Sequence, residues 1–77
     1  HSPDNSRHFA DLVRRTPEIL EAHALTGDAD YLLKVVVRSL KELSDLINER
    51  LLPHASVDRV RSEIVLETLK ESLALPL

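Results

Sequence analysis

The chain's single glycine, Gly27, sits in "TGDAD" between two apolar runs, "ILEAHAL" (19–25) and "YLLKVVV" (31–37). No other feature restricts the fold as much. Glycine can take the positive φ that many tight turns demand, and Asp28 and Asp30 can accept hydrogen bonds from nearby backbone amides, so these five residues read as a turn. The second run is rich in β-branched side chains and the first alternates loosely, which makes both strands. Two strands joined by so short a connection pair antiparallel, and the rest of the chain has to cover the hairpin they form.

Helical segments flank it. Ser2 followed by Pro3 has the chemistry of an N-cap and a first helical position, and Phe9, Leu12 and Val13 then supply an apolar stripe that Thr16-Pro17 ends. Ser39 and Glu42 stand at capping-box spacing before a second helix. Its stripe is Leu40, Leu43, Leu46, Ile47 and Leu51, and Pro53 stops it. From Val57 the period changes to two: Val60, Ser62, Ile64 and Leu66 point one way, Arg59, Arg61, Glu63 and Glu67 the other, which predicts a third, half-exposed strand. The tail "ESLALPL" has three leucines without a partner in their own segment and is expected to dock on a neighbouring surface.

The order helix, strand, strand, helix, strand becomes βαββαβ when one strand is placed before the first helix. The fold class is therefore α+β: a ferredoxin-like antiparallel sheet with two helices on one face, its first strand missing from residues 1–77. On residues 31 to 37, Tyr31, Leu33, Val35 and Val37 form the face suited to the helices. Leu32, Lys34 and Val36 form the opposite face, whose apolar area calls for a cover. A two-fold partner sheet supplies one economically, so these three residues are the expected dimer interface.

At 77 residues the chain is one domain or part of one, and at that size burial on folding reaches only about 60% of the unfolded surface, which favours association with other chains. With 43% hydrophobic and 30% charged residues it is neither disordered nor membranous. No apolar run is long enough to span a bilayer and no leader pattern opens the sequence, so a cytoplasmic protein is expected. Zero cysteines exclude disulfides, thiolate metal sites and cysteine nucleophiles, and a net charge of −3 gives no field for phosphate backbones. His1, His8, His23 and His54 lack metal-ligand spacing, and Asp28 and Asp30 are not followed by the rest of a calcium loop. No nucleophile elbow accompanies the serines, and Glu63 and Glu67 beside Arg59 and Arg61 read as surface charge pairs. No catalytic residue, metal site or cofactor is expected.

The stretch "EILEAHALTGDADYLLKVVVRSLKELSDLINERLLPHASVDRVRSEIVLETLK" resembles the C-terminal effector domain, also called the RAM domain, of the Lrp/AsnC transcription regulators. The likeness is most specific in "TGDADYLLKV" and "RSEIVLETLK", and extends to the "ALPL" ending. It implies the ferredoxin-like fold, dimers that pair sheet face to sheet face, further assembly into tetramers or octamers, and amino-acid effectors bound between dimers. It also marks two departures, since both the family's DNA-binding helix-turn-helix and its central first strand are missing from residues 1–77. DNA contact would then run only through a domain absent from this chain.

A free amino acid presents an ammonium, a carboxylate and a side chain, and the hairpin has a counterpart for each. Asp28 or Asp30 can pair with the ammonium, backbone amides around Thr26 and Gly27 can receive the carboxylate, and apolar strand residues can line a side-chain pocket. The resemblance places Asp30, Tyr31, Ile64 and Val65 at positions associated with effector response. Two other functions fit the same fold: a purely structural oligomerisation module in which the turn is only a turn, and an enzyme like the haem-biosynthesis decarboxylases. The latter would need a basic, histidine-rich cavity to which only His23 and Lys34 point.

Overall fold

The computed structural model describes residues 3–28 and 30–73. Helix α1 (Pro3–Arg14) is followed by strands β1 (Ile19–Ala24) and β2 (Tyr31–Val35), then by helix α2 (Leu40–Leu46), which runs on into a π-helical turn, Ile47–Leu51. The expected N-cap, Ser2, lies outside the described residues. Asp4 in the first turn and Arg14 in the last complement the dipole of α1.

Thr16 ends α1 and aims the chain into the hairpin. Its hydroxyl donates to the Leu12 carbonyl at 2.7 Å and its amide to the Val13 carbonyl at 3.2 Å, while its own carbonyl accepts from Ile19 N at 3.0 Å. It is the one buried polar residue among those described, and these bonds satisfy it where water cannot.

The strands pair antiparallel with Ala22 opposite Leu33 and Ala24 opposite Tyr31. Each is shorter than its sequence pattern: β1 stops at Ala24 and β2 at Val35, although Val36 N still donates to the Glu18 carbonyl at 2.9 Å. A register shift between Ile19 and Glu21 opens a bulge at Leu20, which is left exposed.

Helix α2 starts as its capping pattern requires, with Glu42 N donating to Ser39 Oγ at 3.1 Å. The reciprocal bond falls one residue early, from Arg38 N to Glu42 Oε2 at 2.7 Å. Leu46 and Leu51 are buried, but Leu40, expected in the same stripe, is exposed: it is the first residue after the cap, and it is the far end of α2, at Leu46, that reaches the core. The wider turn brings Leu51 back onto the core, and Leu52 N reaches the Ile47 carbonyl at 2.8 Å.

Phe9, Leu12, Leu46 and Leu51 form the core, with Val13, Ile19, Leu33, Val35, Ile47, Val57 and Val60 packed around them. The loop after α2 is fastened to α1: Ser56 Oγ donates to the Asn5 carbonyl at 2.6 Å, and the His54 ring meets the Phe9 ring edge-on at 5.9 Å.

The third strand is not formed. Val57 and Val60 touch the core, but no strand is present in residues 57–73, and Ile64, Val65, Leu66 and Leu69 are exposed. A period of two shapes a strand only where another edge completes its ladder, and the sheet of the described residues has two strands, β1 and β2. The α+β class therefore holds, with both helices and an antiparallel hairpin compatible with a ferredoxin-like fold, while the described residues form two of the strands of a βαββαβ topology. Leu73, expected to dock with the tail, is fully exposed; residues 74–77 lie outside the described residues.

Candidate functional site

The hairpin turn is closed by Leu25 N donating to the Asp30 carbonyl at 2.9 Å, with a longer bond from Asp30 N to the Gly27 carbonyl at 3.5 Å. Gly27 does not use the left-handed conformation expected of it. The Asp30 carboxylate folds back over its α-carbon, so a β-carbon there would collide with Asp30 Oδ2 and lie 3.0 Å from Asp30 Cγ. Glycine is needed for close approach rather than for φ. Thr26, Gly27, Asp28 and Asp30 are all exposed, which leaves the aspartates in reach of a ligand.

Tyr31 joins this turn to the core. Its ring lies 4.9 Å from that of Phe9, tilted by 41°, so α1 holds the residue next to Asp30 in place. Beneath Tyr31, between α1 and β1, runs an apolar groove of about 310 Å³ lined by Phe9, Ala10, Val13, Ala22 and Ala24, with Ser6 and Arg14 on its borders. The sequence reading looked for apolar lining on the strands alone and missed the contribution of α1. Alanines at 10, 22 and 24 are the signal that was there, since small side chains leave a gap wherever a helix crosses a strand. Ile64 and Val65 stand apart in the irregular segment, 61% and 77% exposed.

The opposite face of the hairpin carries Leu32 and Val36, 60% and 56% exposed, with Lys34 between them. Lys34 Nζ lies 3.6 Å from Glu21 and 3.7 Å from Glu71, and His23 Nε2 lies 3.0 Å from Glu21 Oε1. The His23 hydrogen bond and the Lys34 charge hold the Glu21 carboxyl below its ordinary value of 4.5. All of these groups are solvated, and such pairs add little to stability.

The contact between Ser56 and His54 does not make a nucleophile. His54 Nδ1 accepts from the backbone N of Ser56 at 3.0 Å, whereas the Ser56 hydroxyl donates to the Asn5 carbonyl and turns its proton away from the ring. Among the described residues no group of three or more His, Asp or Glu is placed to hold a metal ion, and no helix is long and apolar enough to cross a membrane.

The family profile described as the Lrp/AsnC ligand binding domain matches residues 1–75. The glutamate uptake regulatory protein of Zymomonas mobilis is 38% identical over 77 residues, which are 100% of this chain and 46% of that protein. The HTH-type transcriptional regulator Zrp of the same species is 37% identical over 76 residues, 99% of this chain and 49% of the relative. The leucine-responsive regulatory protein of Escherichia coli K12 is 37% identical over 71 residues, 92% of this chain and 43% of the relative. The chain thus spans a little under half the length of these relatives, and no solved structure matches it. The relatives are transcription regulators and not enzymes, and the chain belongs to the Lrp/AsnC family, in its ligand-binding domain.

Proposed function

We propose that this chain is the effector-binding and oligomerisation domain of a cytoplasmic transcription regulator, and that its effector is a free amino acid. The observation that carries the reading is the turn itself. An exposed carboxylate, Asp30, is folded over the only glycine and followed by an aromatic ring anchored on α1. An ammonium at Asp30 or Asp28, with a carboxylate at the amides around Thr26 and Gly27, satisfies the charges of the zwitterion, and Tyr31 offers it apolar contact. Ile64 and Val65 complete the site when the segment carrying them is ordered in an assembly.

Leu32, Lys34 and Val36 support the second half of the reading, because they leave one face of the hairpin apolar and uncovered. A homodimer buries that face against its counterpart, and dimers associate further into tetramers or octamers. An amino acid bound between dimers then favours one assembly through its higher affinity for it, and a DNA-binding domain outside these residues reads that state. The names of the relatives, leucine-responsive and glutamate uptake regulatory proteins, favour amino acids as the class to test first.

Thermal unfolding against the twenty amino acids tests this, because a native-state ligand at 100 times its Kd adds about 2.7 kcal/mol. A selective rise in Tm that is lost in Asp30→Ala, with assembly unchanged, is the expected result. A melt unmoved by every amino acid, in a stable oligomer, would leave a purely structural assembly module.

A further inference from the structure

We propose that the groove between α1 and β1 is a second binding site, adjoining the hairpin turn at Tyr31, and that it takes an aliphatic monocarboxylate. The lining from Phe9, Ala10, Val13, Ala22, Ala24 and Tyr31 offers an apolar chain continuous contact. Apart from the Tyr31 hydroxyl, the polar side chains of the lining are two residues of α1, Ser6 and Arg14. These are eight positions apart, so they lie about 12 Å apart along the helix, with the only lining cation at one end.

That arrangement has one charge to satisfy and a long apolar wall. It matches a ligand with a single anionic head and an unbranched tail of roughly eight carbons along those 12 Å. The Arg14 guanidinium is the head's partner, because its planar donors suit a carboxylate. Its present partner is Asp11 Oδ1 at 3.2 Å, on the same helix, and the side chains of both are at least half exposed. A solvated pair of this kind is weak enough for a ligand carboxylate to share the guanidinium or displace Asp11 from it. A free amino acid fits the groove less well, because its ammonium would need a second, anionic partner and no carboxylate side chain lines the groove.

Equilibrium dialysis of the full chain with octanoate, beside octylamine as the cationic analogue of the same length, tests the assignment. Octanoate should bind and octylamine should not compete. Arg14→Gln should weaken octanoate roughly tenfold, the loss of one charge-assisted pair. Ala24→Leu, at an exposed position where the fold tolerates bulk, should fill the groove and weaken it to a similar extent. Asp11→Asn should tighten octanoate about twofold by freeing the guanidinium. Equal binding of octanoate and octylamine, or an Arg14→Gln protein with unchanged affinity, overturns the proposal. So does weaker binding in Asp11→Asn, which would show that Asp11 helps to position the guanidinium for the ligand and does not compete with it. Asp30→Ala should leave octanoate affinity unchanged; this separates the groove from the hairpin site, and loss of octanoate binding there would merge the two and overturn the assignment.

Discussion

Residues 3–52 and residues 58–73 carry sequence patterns of similar clarity, yet only the first region is built into regular structure. The hairpin brings its own partner strand two turn bonds away, and both helices find the same four-residue core. The later segment alternates as well as β1 does, but no strand edge meets it, and Ile64, Val65 and Leu66 remain in solvent. Periodicity states what a segment can become, and a neighbour with free hydrogen-bonding groups decides whether it does so.

The largest contrast should come from equivalent truncations in the two regions. Leu46→Ala removes a buried side chain from a core of four and should cost about 3 kcal/mol in urea unfolding, close to all the stability a chain this small can hold. Leu66→Ala, in the open segment, should stay within about 0.5 kcal/mol. A comparable loss at both positions would show that residues 61–73 pack after all, and would erase the distinction.

Ser39→Ala comes next. It removes the acceptor of the Glu42 amide at the start of α2 and should cost about 1 kcal/mol, with the midpoint lowered at an unchanged denaturant slope. A smaller cost, about 0.5 kcal/mol, is expected of Gly27→Ala, because the Asp30 carboxylate it displaces can rotate away. A double-mutant cycle with Asp30→Ala should show most of that cost disappearing, and amino-acid response should be lost in Gly27→Ala although the fold survives.

The smallest effect is the acid dependence of the exposed sheet face. Glu21 has a folded pKa below its unfolded value, so its contribution is present above about pH 4.5 and is lost as the pH falls through the lower, folded value. Urea midpoints measured from about pH 4.5 down through that folded value should fall less steeply with acid in Glu21→Gln than in the parent chain. Identical pH profiles would mean that His23 and Lys34 do not hold Glu21 in solution.

What the residues announced in advance was mostly local. Thr16-Pro17, the Ser39/Glu42 pair and the two apolar runs are chemistry read within a few positions, and α1, β1, β2 and the start of α2 follow them. What stayed hidden depends on distant contacts. The π-helical turn at Ile47–Leu51 places Leu51 on the core, a demand no local propensity states. The exposure of Leu40 follows from which end of α2 reaches the core. At Gly27 the residue was legible but its reason was not, because the fold-back of the Asp30 side chain is invisible to a turn rule. The groove between α1 and β1 likewise appears only when Ala10, Ala22 and Ala24 are brought face to face.

Residue-resolved amide hydrogen exchange of the 77-residue chain tests most directly whether a missing strand edge, and not a weak pattern, separates the two regions. At low concentration the amides of His23 and Leu32, the hydrogen-bonded pair two positions on from Leu25 and Asp30, should be protected and those of residues 61–69 should exchange almost as in a free peptide. Protection across 61–69 should emerge only in assemblies that supply an edge. Protection of 61–69 equal to that of the hairpin in the isolated monomer would contradict the account.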